Sequence, residues 1–415
     1  MIRLPKEIAQ MIKTIEDAGF EAYAVGGCVR DSILGRTPED WDLTSNASRD
    51  TLEALFPHAT IVNKKLGVMR ITEREVTADI AAFRIDGEYK DYRHPETVIF
   101  TNEIGEDLRR RDFTMNAIAV SPRRGEVDPF HGRADIVKKL IRGIGDPRLR
   151  FEEDALRILR AIRFASQLGF EIDGETLQAM KEKSHLLKHI SAERIREEFV
   201  KTITAGNSAA GLGLLIKTGV LVYILGEDCM VNATEANMKM LSLLSENIDQ
   251  SKNQLNLRLA LVYLCFEKDN GLHAIEILSY SNEMKRLLQN AVSLTGELDE
   301  IRNMLQLKRF ISRIGSADFQ YLSDVSEQQH KVYHLDMRAL QYRMQLYNEI
   351  QRSGEPIFIE DLAVNGNDLI EAGLAEGVGI GKLLHFLLDV VHQAPEKNEK
   401  DLLLKMLKGI ECREI

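Results

Sequence analysis

The sequence predicts an α+β head, a mixed sheet with helices, followed by a long all-α remainder. Three observations carry that prediction. Over the first ~140 residues, short apolar strand-like runs alternate with segments of helical spacing. From Phe151 to Leu407 the apolar residues recur at the helical period, starting with Leu156, Leu159, Ile162 and Phe164. The composition, 44% hydrophobic and 28% charged, is that of a globular chain with a sizeable core, and 415 residues hold roughly two to four domains.

Each element follows from a local pattern. Ile8, Met11, Ile12 and Ile15 fall on one helical face, and Gly19 stands where a C-terminal cap belongs. Ala22 to Val25 reads as a buried strand running into Gly26-Gly27. Asp40 to Thr44, Val68 to Ile71 and Glu75 to Phe83 read as further strands, with a turn at Asp86-Gly87. Turns recur at Asp128-Pro129 and His131-Gly132, and Leu140 to Gly143 reads as a last strand. Within the helical part, turn signals stand at Gly169, Gly206-Asn207, Gly226, Gly271, Gly296, Gly315 and Gly354-Glu355-Pro356.

Charge and cysteine usage exclude several classes. Lys and Arg total 54 and Asp and Glu 64, a formal net charge of −10. That excludes a basic coat over the whole surface but allows local patches that bind nucleic acid. Cys28, Cys229, Cys265 and Cys412 form no Cys-x-x-Cys pair, against both a disulfide framework and a thiolate zinc site. The start, Met1-Ile2-Arg3-Leu4-Pro5, lacks the basic-then-apolar pattern of a signal peptide. The most apolar stretch, Ala209 to Gly226, is broken by Lys217-Thr218-Gly219, so it reads as two core helices and not a membrane span. The expectation is a cytoplasmic protein with no membrane partner.

Three constellations carry chemistry. In Gly26-Gly27-Cys28-Val29-Arg30-Asp31, two glycines after a strand let the backbone approach phosphate oxygens closely, and Arg30 adds a fork of N–H donors. Asp40 and Asp42 alternate along a strand, which directs both carboxylates to one face, the arrangement a hard cation such as Mg²⁺ requires. Asp79, in the strand Val76 to Ala81, either joins that pair as a metal ligand or base, or pairs with Arg84 as an edge residue.

The second constellation is Arg109-Arg110-Arg111-Asp112-Phe113-Thr114-Met115-Asn116. The arginines offer an anion site with Arg111 on phosphate. Asp112 and Asn116 share one face if the segment is helical, and so could read ribose hydroxyls. The third runs from Glu152 to Phe164. Asp154, Arg157, Arg160 and Arg163 step by three along one slowly turning helical face. Such a stripe is either a salt-bridged surface or a base-reading edge. Cytosine and adenine both present an amino donor beside a ring-nitrogen acceptor, which one carboxylate and one guanidinium complement. Uracil and guanine present the reverse, so an Asp154/Arg157 pair would admit C and A and reject U and G.

Gly26-Gly27-x-Val29-Arg30-Asp31, Asp40-x-Asp42, Arg110-Arg111-Asp112-Phe113-x-x-Asn116, Glu153-Asp154-x-x-Arg157 and Ser191-Ala192-Glu193-Arg194-Ile195-Arg196-Glu197-Glu198 occur in that order. Together they resemble the class II tRNA nucleotidyltransferases, specifically the bacterial CCA-adding enzymes of the Bacillus-like type. The likeness extends more weakly to Leu362-Ala363-Val364-Asn365-Gly366 and Gly377-x-Gly379-Ile380-Gly381 near the end.

The resemblance implies a nucleotidyltransferase-fold head over 1–145, a nucleotide-selecting helical neck over 146–205, a helical body over 206–310 and a tRNA-binding tail over 311–415. It implies Mg²⁺ on Asp40 and Asp42, triphosphate on Gly27 and Arg30, and nucleotide contacts from Arg111, Arg160 and Arg163. It matches Asp154 and Arg157 to the family's protein template for CTP and ATP. The implied partner is tRNA, and pairing as a homodimer is allowed.

Relatives differ in product, and three alternatives stay open: an A-adding-only enzyme, a poly(A) polymerase and a small-molecule nucleotidyltransferase. The full-length loop Asp86 to Pro95 counts against a CC-only enzyme. The short, mixed-charge ending counts against a poly(A) polymerase, and the long helical part against a small-molecule enzyme. Between Lys138 and Arg163, eight basic residues face four acidic ones, which reads as a local stripe for a polyanion. Lys382, Lys400, Lys405 and Lys408 read as further contacts to the far end of the tRNA.

Overall fold

The computed structural model describes residues 2–63, 67–87, 96–374 and 377–410. Residues 88–95 of the Asp86–Pro95 loop lie outside the described residues. The chain forms two compact units, residues 1–233 with 276–279 and residues 234–275 with 280–415.

The first unit opens with a mixed seven-stranded sheet. Its strands, in chain order, are β1 (Ala22–Val25), β2 (Trp41–Ser45), β3 (Thr60–Asn63), β4 (Val68–Glu73), β5 (Val76–Ala82), β8 (Ala119–Ser121) and β9 (Gly125–Val127), and a separate hairpin joins β6 (Arg84–Asp86) to β7 (Val98–Phe100). The sheet order is β3-β4-β5-β2-β1-β8-β9. All neighbours are antiparallel except β2 and β5, which run parallel with Asp42 opposite Asp79. Central β1 is wholly buried, as its unbroken apolar run requires. Helix α1 (Lys6–Asp17) covers the sheet with Ile8, Met11, Ile12 and Ile15, all fully buried.

The expected strands at Ala22–Val25, Asp40–Thr44, Val68–Ile71 and Glu75–Phe83 are all present, within a residue or two at their ends. Three short strands, β3 and β9 at the sheet edges and β8 beside β9, were not legible. Three- and four-residue strands carry too little alternation to register, and every residue of β3 is exposed. The expected last strand is displaced: β10 (Leu140–Ile141) leaves the large sheet and pairs in parallel with β11 (Glu171–Ile172). That pairing hydrogen-bonds the chain on both sides of residue 145 into one body.

Helices α2 (Gly27–Ile33), α3 (Arg49–Leu55), α4 (Ile104–Arg109) and α5 (Gly132–Val137) accompany the sheet. They are followed by α6 (Pro147–Glu153), α7 (Leu156–Leu168), α8 (Gly174–Lys183), α9 (Ala192–Ile203) and α10 (Ser208–Lys217). Their ends obey local rules. Asp146 caps α6 with Pro147 in its first turn, Asp173 caps α8, and Gly169 ends α7 at φ +68°. The stretch Ala209–Gly226 is indeed two helices, α10 and Val222–Leu225. Among the described residues, no helix is long and apolar enough to cross a membrane.

The second unit is helical throughout its described residues. Two of the expected turn glycines lie inside helices instead, Gly271 within Lys268–Ile277 and Gly296 within Asn282–Asp299. Gly271 is used for close packing: a Cβ there would stand 2.9 Å from the Tyr263 carbonyl and 3.2 Å from Val292. Near the chain end, Leu369, Leu387, Val391 and Leu403 form a fully buried core. Lys308 is buried beside the Glu355 carboxylate, and Arg343 is buried with Asp299 at 2.7 Å.

Helices α7, α9 and α10 meet at Gly211, where a Cβ would fall 2.6 Å from Thr202 Cγ2 and 2.8 Å from Ser166 Oγ. These are atoms of packed helices that cannot both yield. Gly211→Ala is therefore expected to lower stability by about 1–3 kcal/mol, the range of core overpacking. A reduced urea midpoint for the full-length variant checks this, and an unchanged one refutes the close crossing.

Candidate active site

The turn after β1 sets the floor of a cleft of about 880 Å³, lined entirely by the first unit. Gly26 adopts φ +87°, and a Cβ on it would lie 3.1 Å from Arg111 Nη1 and 3.7 Å from Asp42 Oδ2. Only glycine lets the backbone enter this space and keep an arginine and a carboxylate beside it. Asp40 and Asp42 both line the cleft and both are exposed to it. Asp42 opens into β2, whereas Asp40 stands one residue before the strand. The crowding of Asp42 by protein, with Asp79 and Asp40 nearby, pushes its carboxyl above the ordinary range, and Arg111 opposes that rise.

Asp79 stands beside Asp42 in register, but it is not placed as a free carboxylate. Arg70 on β4 grips both its oxygens at 2.7 and 2.8 Å. Its partner is thus Arg70 and not Arg84, which pairs with Asp86 at 2.9 Å. Among the described residues, no cluster of three or more acidic, histidine or cysteine side chains is placed to hold a metal ion. Asp79 is thus half of an ion pair with Arg70, beside Asp42 in register. The Asp40/Asp42 pair does fit a hard cation: Mg²⁺ binds through one or two carboxylates and completes its shell with water and substrate phosphates.

The opposite wall is cationic, and buried acids organise it. Asp107 is fully buried and accepts from Arg110 at 2.8 Å and Arg111 at 3.3 Å. Burial works against its charge, but the two arginines hold its carboxyl below the usual range. Asp112 and Asn116 do not share a helix, because only Thr114–Asn116 form a single 3₁₀ turn. They meet nonetheless: Asn116 Nδ2 donates to Asp112 Oδ1 at 2.9 Å, and Arg30 Nη1 donates to Asn116 Oδ1 at 2.9 Å. Arg160 donates to Asp112 Oδ2 at 2.7 and 2.9 Å. These groups thus bond one another and fix Arg30 and Arg160 beside the cleft.

The stripe on the third segment is also rearranged. Asp154 lies outside the helix, in extended backbone (φ −141°, ψ 104°) between α6 and α7. There it accepts from the Leu156 N–H at 3.1 Å and from Arg194 at 3.1 and 3.4 Å. Arg157 is buried and donates to Glu153 at 2.6 Å and to the carbonyls of Arg150 and Arg110 at 3.0 and 2.8 Å. Arg163 meets buried Glu198 at 3.2 Å. The arginines of the basic run between Lys138 and Arg163 are thus turned inward or ion-paired, as Arg142 is with Asp135 and Asp173, and do not form an open stripe. Of the tail lysines, Lys400 pairs with Asp368 at 2.5 Å, and Lys382, Lys405 and Lys408 are exposed.

With this geometry in view, two family models match the chain: a poly(A) polymerase head domain over residues 22–142, and a probable RNA- and SrmB-binding site of polymerase A over residues 169–227. A CCA-adding enzyme of Limosilactobacillus reuteri is 33% identical over 404 residues, covering 96% of this chain and 95% of that relative. The chain belongs to the family of CCA-adding enzymes. A CCA-adding enzyme of a Geobacillus species is 43% identical over 214 residues, a match that spans 52% of this chain and about half, 53%, of that relative's length. The solved structure of a Bacillus stearothermophilus CCA-adding enzyme in complex with CTP superposes over 98% of this chain and 97% of its own, with a TM-score of 0.75 at 28% identity.

The motifs shared with this family contain site residues to which sequence reasoning gave no role. Arg194 and Glu198 stand inside the quoted motifs, yet their partners are fixed only by the fold, whereas Glu153 had a usable signal four positions before Arg157. Asp107 had a usable signal, since it precedes Arg110 and Arg111 by three and four positions. Cys28 also lines the cleft, and burial pushes its thiol up to about 11, so it stays protonated at neutral pH.

Arg160, Asn116 and Arg157 outweigh the burial of Asp112 and hold its carboxyl at about 2. The ordinary aspartate value is ~3.9, so the charged form stabilises the fold above about pH 4, and that contribution is lost as pH falls through about 2. The stability gap between the parent chain and Asp112→Asn is therefore expected to stay constant above about pH 5 and to narrow by about 2 kcal/mol between about pH 4 and 2. Urea midpoints across that range read it directly; a gap independent of pH contradicts the assignment.

Proposed function

We propose that this chain builds and repairs the 3′-terminal CCA of tRNA, adding C, C and A from CTP and ATP without a nucleic-acid template and releasing pyrophosphate. One observation carries the reading: a single cleft sets the open Asp40/Asp42 pair against Arg30, Arg111, Arg157 and Arg160, with Asp154 alongside. Family membership over nearly the whole chain supports it, as does the resemblance to a relative solved with CTP.

The four parts expected from the sequence, head 1–145, neck 146–205, body 206–310 and tail 311–415, enter this reading as catalytic, selecting, connecting and tRNA-binding segments. Asp40 and Asp42 would hold Mg²⁺. Such an ion supplies charge neutralisation on the phosphates and eases deprotonation of the attacking hydroxyl. The Gly26-Gly27 turn and Arg30 receive the triphosphate, and Arg111, tied down by Asp107, faces the same anion. The tRNA 3′-oxygen attacks the α-phosphorus, the bond from that phosphorus to the oxygen bridging to the β-phosphate breaks, and pyrophosphate leaves. The hydroxyl proton passes to water.

Base choice rests on Asp154 and Arg157. Three of the five N–H donors of Arg157 are bound to protein acceptors, which fixes its plane and leaves two for a ring nitrogen. Asp154 is anchored by Arg194 and the Leu156 N–H and retains lone pairs for an exocyclic amine. Arg160 and Arg163 extend the same wall.

Incorporation on tRNA transcripts ending at the discriminator base, at C and at CC, with CTP, ATP and Mg²⁺, tests the proposal at single-nucleotide resolution. Completion to CCA on all three is the expected result. Addition only to the CC-ended substrate would instead make the chain an A-adding enzyme. Asp42→Asn is expected to lower incorporation at least a thousandfold while the fold is retained, and near-parental activity would overturn the metal assignment. Arg157→Lys, which loses the planar fork, is expected to admit UTP and reduce CTP selectivity at least tenfold in competition, measured on the same transcripts.

A further inference from the structure

Three guanidinium groups surround one aromatic ring in the cleft. The carbons of Arg163, Arg30 and Arg160 lie 4.4, 4.9 and 5.4 Å from the centroid of Phe164. The ring is 5% exposed and lines the cleft beside all three. Phe113 meets it edge to face, with centroids 5.9 Å apart at 90°. Like charges so close repel, and the carboxylates that offset them, Asp31, Asp112 and Glu198, each pair with one arginine. The ring is a contact shared by all three. Its negative face attracts each cation.

The ring also closes a circuit. Arg30 reaches Asn116, Asn116 reaches Asp112, Asp112 reaches Arg160, and both arginines return to the ring face. The arginine from the head and the two from α7 are thereby set at fixed spacing. We propose that Phe164 is a positioning residue of the nucleotide site, whose π face holds Arg30, Arg160 and Arg163 together as one polyphosphate-binding surface. This rests on the reading of the cleft given under the proposed function. Phe164 touches no reacting atom, and it acts only through the arginines. Its loss weakens CTP and ATP alike, because it sets the cationic wall and not the base-reading pair.

The test separates the π face from mere packing. Phe164 is replaced in the full chain by phenylalanine bearing one, two and three ring fluorines, which drains the negative face at nearly constant shape. Binding of inorganic tripolyphosphate is measured by calorimetry. The dissociation constant is expected to rise with each fluorine and to reach about tenfold at three, with the thermal midpoint nearly constant. Phe164→Tyr is expected to stay within about twofold of the parent, and Phe164→Leu to raise KM for CTP and ATP together with kcat little changed. A flat fluorine series in a parent chain that binds tripolyphosphate overturns the role of the ring and leaves the cleft reading intact. A parent chain that fails to bind tripolyphosphate overturns the phosphate reading of the cleft as well.

Discussion

The carboxylate of Asp112 is the point on which the cleft is hung. It is buried, yet it stays charged because Arg160 arrives from α7 and Asn116 from the adjacent 3₁₀ turn to satisfy its oxygens. A buried unpaired charge is destabilising by several kcal/mol, so head and α7 must approach in the one geometry that pairs it. Once they do, Arg30 is drawn to Asn116, Phe113 meets Phe164, and the glycine turn faces the arginine wall.

Acids recur behind the cations. Buried Asp107 stands behind Arg110 and Arg111, half-buried Glu153 behind Arg157, and buried Glu198 behind Arg163. Each offsets the desolvation of its arginine and fixes the direction of the remaining donors. This resolves the apparent conflict between a net charge of −10 and a polyanionic ligand. The positive field is local, and Asp107, Asp112, Glu153 and Glu198 are its supports. Donors fixed in direction in this way are pre-organised, which under the proposed function favours selecting a base by hydrogen-bond pattern.

The family and the main features of the site were legible in the chain because glycines, carboxylates and arginines were adjacent in sequence. Asp40 and Asp42 two apart, or Arg111 and Asp112 side by side, are already near each other before folding. The helical part was legible from its apolar period, and the sheet from its buried runs. Where the reading slipped, the cause was local in each case. Asp154 was assigned to a helix whose first residue is Leu156, because a step of three persists across a break that only the backbone reveals. For Asp79 the expected ion-pair partner is Arg84 and the observed one is Arg70, because Arg70 lies nine residues away on a strand pairing that one chain segment does not announce.

By itself, the sequence determined which residues carry the proposed chemistry: the Gly26-Gly27 turn for phosphate, Asp40 and Asp42 for a cation, and Asp154 with Arg157 for C and A. It also determined the division into a sheet-bearing start and a helical remainder, since periodicity is a local property. Tertiary structure alone decided how Arg160 and Arg163 are held, because that depends on acids 48 and 35 positions away. It decided that Asp112 and Asn116 bond each other, Arg30 and Arg160, and that Phe164 gathers three cations. Those outcomes turn on burial and on distances of a few ångströms between segments remote in sequence, where low dielectric makes each pairing count.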